Sequence, residues 1–229
     1  MTYTYSAGNL GKASDFIHFI GYVNAPHLFE KAVTSTIPAA KEGVGIIIDN
    51  RSDKSVPSPN QIIEGKEAAE CFSVLEPDVP LTFSQTMNLL IKVSIQKGAK
   101  FFTWIHADGE VTGDSLNLIR TARQHIADGT KWGAIFTCYD VYSAFSVEGW
   151  QATGEWDWLR FPFYFSDTDY YRRLEAAGYP YLNIGGEGVI HHNNASNTIK
   201  HDELRRMTND YMFPVWKKLF DEKYPEQTT

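Results

Sequence analysis

The 229-residue chain is predicted to fold as an α/β domain with a mixed, mostly parallel sheet flanked by helices. Short apolar runs alternate with amphipathic segments through its first half, which is typical of strands and helices that follow one another. Polar residues come directly after two of the apolar runs, at 49–50 and at 106–108. Because ligands bind at the carboxyl ends of strands in such sheets, these positions are the first indication of a site.

Composition narrows the class of protein. With 43% hydrophobic and 14% aromatic residues, the chain can bury a large core. The formal net charge of −7 argues against a nucleic-acid partner, although a local basic groove is not excluded by it. Cys71 and Cys138 are too few for a disulfide framework or a zinc site, so we expect buried thiols. The N-terminal residues show no signal-peptide pattern and no apolar run could cross a bilayer, which predicts a cytoplasmic protein.

The elements of the first half follow from apolar runs and helical spacing. Strands are predicted at 15–23, 44–48, 71–75, 101–105 and 132–139. Helices are predicted after Asn24, over 82–96 and over 114–128. The first helix is predicted to place Leu28, Phe29, Ala32 and Val33 on one face. In the second, helical spacing is followed by Phe83, Met87, Leu90, Ile91 and Ile95. The proline-containing stretch 51–64 is predicted to be a loop.

The second half of the chain shows a different residue pattern. Residues 140–165 are crowded with aromatic side chains and show weak periodicity. A helix is predicted from Asp167 to Ala177, where Gly178 and Pro180 end it. Two short strands are predicted at 181–184 and 189–191, followed by a charged amphipathic helix over 202–223.

The stretch His106-Ala107-Asp108-Gly109-Glu110 is the most suggestive for chemistry. A divalent cation prefers oxygen ligands, and a carboxylate at the carboxyl edge of a sheet offers one to an incoming diphosphate. The Asp-Gly pair is also a strong turn former, so a plain turn is the competing interpretation.

Two further segments allow both a functional and a structural interpretation. Asp167 opens a helix, where it could accept a proton from a substrate or merely cap free amides. Asp169 and Arg173 are four residues apart, the spacing of an ordinary surface ion pair. His191 and His192 end a strand, and because neighbours on a strand point to opposite sides, at most one should reach a given site.

Several common chemistries are excluded by missing motifs. The chain has no phosphate-binding P-loop, no G-x-S-x-G nucleophile elbow and no H-E-x-x-H zinc motif. Gly43 and Gly45 lead into a strand without a third glycine, so they do not form a dinucleotide-binding motif. Any catalysis must therefore use carboxylates and histidines, with or without a metal ion.

Taken in order, these motifs resemble those of the GT-A fold glycosyltransferases, especially the large inverting family 2, over roughly residues 15–197. The matching features are a first strand and helix (FIGYVNAPHLFEKAVTSTI), a strand ending in Asp49-Asn50-Arg51-Ser52-Asp53, a helix with Asn88, a strand entering His106-Ala107-Asp108, the segment Ser166–Arg173 with Gly178, and a strand ending in His191-His192 near Ser196.

The resemblance implies roles for individual residues. Nucleotide-sugar contacts are implied for Asp49, Asn50, Asn88, His106 and Asp108. Asp108 would bind Mn²⁺ or Mg²⁺, completed by His191 or His192, and Asp167 would be the general base. Acceptor-side or secondary roles are left open for Glu110, Trp150, Trp156, Asp169 and Arg173.

This sequence departs from the family pattern at two positions. His106 stands where the family has the first aspartate of its D-x-D motif, a residue that often holds the ribose. Asp108 and Glu110 could alternatively be the working carboxylate pair, shifted by two residues. Ser166 stands where the family has a glutamate before the base, which can alter how the base or acceptor is oriented.

The expected protein is a single-domain, metal-dependent hexosyl- or pentosyltransferase that uses a nucleotide-diphosphate sugar, with a UDP-sugar favoured. About 15–139 would bind the donor, 140–200 would form the acceptor and catalytic half, and 201–229 a C-terminal helix. The acceptor would be a glycan or another hydroxyl-bearing molecule.

Two other functions stay open on sequence grounds. A nucleotidyltransferase can also place metal-binding carboxylates at a sheet edge, but Gly21–Pro26 lacks the basic, glycine-rich loop that such enzymes usually carry. A non-catalytic protein of glycosyltransferase-like fold that binds carbohydrate or nucleotide is the other alternative, suggested by His106 and Ser166. A retaining reaction is also possible on this fold.

Overall fold

The structure, a computed structural model, describes residues 3–5, 14–51, 53–192 and 203–225. Its strands are β1 (Tyr3–Tyr5), β2 (Phe16–Tyr22), β3 (Val44–Asp49), β4 (Phe72–Pro77), β5 (Phe101–Ile105), β6 (Gly109–Val111), β7 (Ala134–Thr137), β8 (Tyr142–Ser146), β9 (Tyr181–Asn183) and β10 (Val189–His191). Its helices are α1 (Pro26–Ser35), α2 (Ile37–Glu42), α3 (Pro59–Ile63), α4 (Ala68–Cys71), α5 (Phe83–Gln96), α6 (Asn117–Ala127), α7 (Val147–Thr153), α8 (Ser166–Ala176) and α9 (Glu203–Lys223).

The predicted fold class, a mixed and mostly parallel sheet flanked by helices, is confirmed. Eight strands form one sheet in the order β1-β4-β3-β2-β5-β8-β7-β9. Only the pairs β1–β4, β5–β8 and β8–β7 are antiparallel, so six strands run in the same direction. A second sheet pairs β6 with β10, antiparallel. The carboxyl ends of β2, β3 and β5 consequently lie side by side at one edge.

Both faces of the main sheet are buried, as the continuous apolar runs predict. Along β2, Phe16 and Ile20 face one core, which α1, α2, α3 and α6 cover, while Ile17 and Phe19 face the other. Helices α5 and α8 cover this second core. The period of two along the strand therefore divides one sequence run between two hydrophobic layers.

Several helices begin at signals that the sequence carries. α1 starts with Pro26 in its first turn and buries Leu28, Phe29, Ala32 and Val33, as predicted. α5 starts at a capping box, in which the Thr82 hydroxyl and the Gln85 side chain each accept a hydrogen bond from the other's backbone amide. Ile95 follows the helical spacing as predicted, but it lies near the end of α5 and is 37% exposed.

Three local predictions are corrected. The stretch 51–64 contains α3, which begins at a capping box between Ser58 and Gln61. Cys71 is the last residue of α4 rather than the first of a strand, although it is buried as predicted. The aromatic stretch 140–165 contains β8 and α7, and Ser146 both ends the strand and caps the helix. Cys138 is half-buried and lies beyond β7.

α9 packs its aromatic residues against the loop before α8. Trp216 and Phe220 are buried, with ring centroids 6.0 Å from those of Phe163 and Phe161 respectively. In the described part of the chain, no helix is both long and apolar enough to cross a membrane.

Asp169 anchors the C-terminal end of α9 to α8. The ion pair with Arg173 forms at the predicted spacing, with Nε 2.9 Å from Oδ2, but Asp169 is fully buried and the pair is not a surface feature. Lys223 Nζ lies 2.5 Å from Oδ1 of Asp169, and the Tyr224 hydroxyl donates to the same oxygen at 2.9 Å. These three donors replace the water that the carboxylate of Asp169 loses when it is buried.

We expect Asp169→Asn to lower the free energy of unfolding by about 3 kcal/mol, because it removes the charge that two partly buried cations face. Chemical denaturation measures this change. The matched control is Asp221→Asn, whose carboxylate pairs with Lys217 at 2.6 Å on the surface of α9. It should change the unfolding free energy by less than about 0.5 kcal/mol. Equal effects of both substitutions would refute the anchoring role.

His18 is a buried histidine on the sheet face covered by α1 and α2. Its Nδ1 is hydrogen-bonded to the Thr103 hydroxyl at 2.8 Å, whereas Nε2 is buried and has no hydrogen-bond partner in the described structure. Burial lowers the pKa of His18 to about 3, so the ring is neutral in the folded protein.

The stability of the fold should therefore decrease as the pH falls below about 6.5, because the unfolded chain binds a proton there that folded His18 does not. From pH 7.5 to 5 this single group should cost about 2 kcal/mol of unfolding free energy. Denaturation of His18→Leu at both pH values should show a loss smaller by that amount. His27→Gln, a change at an exposed position of α1, should leave the pH dependence as it is in the unmodified protein.

Candidate active site

A cavity of about 340 Å³ opens at the carboxyl edge of the main sheet. Residues from many segments line it, among them Val23 after β2, Asn50 after β3, Phe83 in α5, His106 and Asp108 after β5, Tyr139 and Asp140 after β7, Asp167 in α8, His191 in β10 and Arg205 in α9. This is the edge at which the sequence predicts a ligand site, and the strand order accounts for the convergence.

Close packing of β2 against β5 shapes the floor of the cavity. A Cβ atom on Gly21 would lie 2.5 Å from Cη2 of Trp104, so only glycine leaves room for this indole. Trp104 in turn lies beside the rings of Phe83 and His106, with centroids 6.5 and 6.1 Å away. The ring of His106 is thereby held in position at the end of β5.

Asp108 lies in a tight turn, as one of the two interpretations of its Asp-Gly pair predicts. The Gly109 amide donates to the His106 carbonyl at 2.9 Å, which closes the turn between β5 and β6. A Cβ atom on Gly109 would lie 2.9 Å from Cγ1 of Val141, so a small residue is needed there. The turn buries Asp108 and directs it into the cavity.

The two-stranded sheet brings the histidines to this turn. His191 on β10 pairs with Gly109 on β6, and its Nε2 lies 3.2 Å from Oδ1 of Asp108. His192 takes a different partner, because its Nε2 lies 2.7 Å from Oε2 of Glu110. The expectation that neighbouring histidines serve different sites agrees with this geometry.

Three side chains form a group that could hold a metal ion. One potential ligand atom from each of His106, Asp108 and His191 lies within 4.8 Å of the other two. His106 Nε2 is buried and has no hydrogen-bond partner among the residues that the structure describes. His192 and Glu110 are not part of this group. The serine predicted nearby, Ser196, lies outside the described residues.

Electrostatics keep Asp108 charged. Burial by itself would raise the pKa of its carboxyl, but the hydrogen bond from His191 and the charges of His106 and His191 outweigh burial and lower that pKa. A carboxylate that stays ionised is the form in which a metal ion binds.

Asp167 also lines the cavity, in the first turn of α8. It is half-buried, and its Oδ2 accepts a hydrogen bond of 2.9 Å from the Tyr139 hydroxyl. The N-cap position of α8 is Phe165, which makes no side-chain cap. Ser166, the residue in place of the family's glutamate, is buried and donates to the Phe163 carbonyl at 2.8 Å.

A second carboxylate, Asp140, shares this wall and was missed by the sequence analysis. It is buried, its Oδ2 accepts a hydrogen bond of 3.0 Å from the Tyr171 hydroxyl, and its Oδ1 lies 3.9 Å from His106 Nε2. Burial and the charge of Asp167 raise its pKa, against the opposing effects of His106 and Tyr171. Two carboxylates in different environments therefore face one cavity.

Asp140 owes its position to an unusual backbone. Cys138 and Tyr139, the two residues before it, have φ angles of 41° and 57°, in the left-handed region that side chains other than glycine rarely adopt. This turn follows β7 and aims Asp140 at the cavity. Nothing in the aromatic sequence around it signals such a turn, since glycine and asparagine are absent from residues 134–146.

Two of the residues predicted to contact the nucleotide, Asp49 and Asn50, lie at the carboxyl end of β3. Asn50 lines the cavity. Its side-chain oxygen accepts a hydrogen bond from the Leu81 amide at 2.5 Å, and its side-chain nitrogen donates to the Leu81 carbonyl at 2.8 Å. Asp49 is buried next to it and pairs with Arg51, whose Nε lies 2.9 Å from Oδ2. Arg205 was not predicted, and it donates to the Asn50 carbonyl at 3.2 Å.

The structure does not bring the other predicted side chains to the cavity. Asn88 bonds the backbone of Trp156 through both ends of its amide, at 2.8 and 3.0 Å. Trp156 stacks on Tyr170 within the core, with centroids 4.3 Å apart. Trp150 packs against the same core. Arg173, like Asp169, belongs to the anchor of α9.

Comparisons with known proteins identify the fold. No family model matches the sequence, and no curated protein is significantly similar to it. Among solved structures, the mannosyltransferase PcManGT from Pyrobaculum calidifontis, in complex with GDP-Man and Mn²⁺, is 10% identical with a TM-score of 0.57, covering 96% of this chain and 78% of that one. Glucosyl-3-phosphoglycerate synthase from Mycobacterium tuberculosis, in complex with Mn²⁺, UDP-glucose and phosphoglyceric acid, is 11% identical with a TM-score of 0.51, covering 88% and 79%.

Not every structural match is a glycosyltransferase. A Bacillus anthracis protein assigned as a glucose-1-phosphate thymidylyltransferase is 10% identical with a TM-score of 0.55, covering 83% of this chain and 95% of that one. S. aureus TarS is much longer, and the chain spans 39% of it. At these identities the likeness establishes the predicted GT-A-type fold, and the activity has to be argued from the site.

Proposed function

We propose that the protein transfers a sugar from a nucleotide-diphosphate sugar to an acceptor hydroxyl in a metal-dependent reaction. The observation that carries this proposal is that one cavity is lined both by a group that could hold a metal ion, His106, Asp108 and His191, and by a further carboxylate, Asp167. A GT-A-type sheet that presents both at its carboxyl edge supports the same function.

The group around Asp108 suits a divalent cation. It combines one ionised carboxylate with two imidazoles, and the unsatisfied His106 Nε2 adds a nitrogen that still needs a partner. A bound ion would neutralise the negative charge that develops on a leaving diphosphate. Mn²⁺ is present in the complexes of PcManGT and of the glucosyl-3-phosphoglycerate synthase.

Asp167 is the proposed general base. Its carboxylate lines the cavity, with Oδ2 accepting from Tyr139 at 2.9 Å and Oδ1 from Thr168 at 3.4 Å, and each oxygen keeps a further lone pair as an acceptor. A carboxylate placed so can accept the proton of an acceptor hydroxyl as that oxygen attacks the anomeric carbon. Attack from the face opposite the leaving group would invert the configuration, which the anomeric proton of the product reports directly by NMR.

The donor is proposed to bind between Asn50 and the group around Asp108. Arg205 adds a guanidinium to this side of the cavity, and arginine is well suited to phosphate oxygens. The two complexes above contain GDP-mannose and UDP-glucose, and a UDP-sugar is our first candidate. A thermal-shift screen of UDP- and GDP-linked hexoses and pentoses with Mn²⁺ identifies both base and sugar.

A nucleotidyltransferase is the second candidate, because one structural match carries that assignment. Against it, the connection from β2 to α1 is Val23-Asn24-Ala25, without glycine, lysine or arginine to hold a triphosphate. Release of pyrophosphate from a nucleoside triphosphate and a sugar phosphate would favour this candidate. Nucleotide-sugar binding without any turnover would instead favour a non-catalytic carbohydrate- or nucleotide-binding protein.

We expect Asp167→Asn to lower the turnover number at least about 100-fold while donor affinity changes less than twofold, because a base acts only after the donor is bound. Donor hydrolysis or transfer, with calorimetry for binding, measures both quantities. Glu175→Gln, an exposed change on the same helix, is the control and should retain full turnover. The same loss in Asp140→Asn, with Asp167→Asn fully active, would transfer the role to Asp140.

Asp108→Ala should abolish the Mn²⁺ dependence of donor binding, because it removes the one carboxylate of the metal-binding group. Calorimetric titration of the donor with and without Mn²⁺ measures this. Asp114→Asn removes an exposed carboxylate that pairs with Arg120, and it should behave like the unmodified protein. Unchanged Mn²⁺ dependence in Asp108→Ala would refute the metal role.

A further inference from the structure

One face of α9 presents apolar side chains to solvent. Met207, Tyr211 and Val215 are spaced four residues apart and therefore lie on the same face of the helix. All three are exposed, and Tyr211 keeps 76% of its surface accessible. Trp216 and Phe220 are buried and attach the opposite face to the protein. A helix on a protein surface normally has polar residues where the three exposed ones lie.

The exposed apolar residues of α9 form a cluster. Twelve large hydrophobic side chains are exposed in the described part of the chain, and five of them fall within nine residues of this helix: Met207, Tyr211, Met212, Phe213 and Val215. Single exposed apolar residues are ordinary, whereas an apolar patch marks a place where a partner binds. The cluster therefore indicates a binding surface on α9.

Cations lie at both ends of this apolar cluster. Arg205 and Arg206 precede it, and Lys217 and Lys218 follow it. Asp210 is the one carboxylate between positions 205 and 218. With four cations and one carboxylate, this segment has a net charge of +3 in a chain whose net charge is −7. The surface is thus both apolar and locally basic.

The two lysines can interact with an outside partner. Lys217 and Lys218 pair with Asp221 and Glu222 in the next turn, but their side chains remain 54% and 79% exposed. Exposed ion pairs of this spacing contribute little to stability, so an anionic surface can compete for the lysines. With the two additional carboxylates counted, residues 205–222 still have a net charge of +1.

We propose that α9 binds the surface of a membrane that contains anionic lipids. Its exposed apolar residues would enter the boundary between headgroups and acyl chains, and the flanking cations would meet the lipid phosphates. A helix with an apolar face, bordered by lysine and arginine, has the pattern of such interfacial helices. Tyrosine is also suited to this boundary, because its ring is apolar and its hydroxyl is polar.

A second copy of the chain fits this surface less well. Antiparallel packing of two α9 helices about Tyr211 would bring Arg206 of one copy towards Lys217 and Lys218 of the other. Parallel packing would place each cation beside its own counterpart. Like charges that face each other across an interface oppose association, whereas anionic lipid complements the cations at both ends.

The proposed membrane surface borders the candidate active site. The Phe213 ring lies 5.3 Å from that of Tyr164, and both Tyr164 and Arg205 line the cavity. Membrane binding would therefore bring lipid to an element that also forms part of the cavity wall. The inference does not rest on the proposed reaction, because the exposed apolar residues of α9 take no part in it.

Co-sedimentation of the full chain with lipid vesicles tests the proposal. We expect binding to vesicles of phosphatidylcholine with about 30% phosphatidylglycerol to be at least about tenfold stronger than to phosphatidylcholine alone. Raising the salt concentration from about 0.05 M to about 0.5 M should weaken it at least about threefold, because salt screens the attraction. Equal binding to both compositions, or no binding to the anionic vesicles, would overturn the proposal.

Substitutions on α9 make the test specific to this helix. Tyr211→Ser should weaken binding to the anionic vesicles at least about fivefold, because it removes an exposed aromatic side chain from the apolar face. Val79→Ser, 63% exposed in the connection between β4 and α5, is the matched control and should bind as the unmodified protein does. Arg206→Gln should weaken binding to anionic vesicles about fivefold. Unchanged binding by Tyr211→Ser, shown to be folded by circular dichroism, would refute the role of α9.

Hydrogen exchange of the unmodified protein covers the case in which Tyr211→Ser does not fold. Anionic vesicles should slow the exchange of α9 amides at least about threefold and leave the amides of α6 unchanged. Equal protection of both helices would contradict binding through α9.

Two further outcomes separate the alternatives. A dimer that forms without lipid and is dissociated by Tyr211→Ser, together with no vesicle binding, would assign the surface to a second copy and overturn the proposal. Vesicle binding combined with no turnover of any nucleotide sugar would refute the proposed function alone and leave this inference intact.

Discussion

The contact between Asp108 and His191 joins the two sheets of the molecule at its candidate active site. Asp108 ends the turn that leaves the main sheet, and His191 lies on the last strand of the small sheet. The amide of His192 also donates to the Asp108 carbonyl at 2.9 Å, so backbone and side chain support the same junction. Two segments more than 80 residues apart in sequence are thereby held at a distance that an ion could span.

The part of the cavity lined by Asp167 and Arg205 depends on α8 and on the segments packed around it. Asp167 lies at the start of this helix, and Asp169, two residues further, is buried and holds the end of α9. α9 in turn contributes Arg205 to the cavity, next to Asn50. The anchor of the terminal helix and the proposed base therefore share one helical turn, which couples the shape of the cavity to the docking of α9.

Much of this fold could be predicted, because the relevant physics is local. The buried runs at Phe16–Tyr22 and Val44–Asp49, and the spacing of the α1 and α5 apolar residues, determine strand and helix without reference to distant contacts. β8 and α7 were missed because aromatic residues in 140–165 serve both cores and leave no clean period. Ile95 illustrates the same limit, since helical spacing names a face without saying how far the core extends.

The residues of the candidate site also differ in whether the sequence could reveal them. His106, Asp108, Asp167 and His191 were named from motifs that end strands or begin a helix, and the structure brings all four to one cavity. Their chemical roles stay predictions. Asp140 and Arg205 carry no such local signal: one depends on a left-handed turn and the other on the long-range packing of α9. Asn88 had a plausible motif position, but its amide satisfies the backbone of Trp156.

The left-handed backbone at Cys138 and Tyr139 has a consequence for how this protein can change. Each such residue costs of order 1 kcal/mol relative to an ordinary conformation, and the surrounding structure has to sustain it. Substitutions that let these two positions adopt an ordinary conformation would be expected to stabilise the fold and to change the direction of Asp140. Thermal stability and the placement of a carboxylate in the cavity are thus opposed at one short turn.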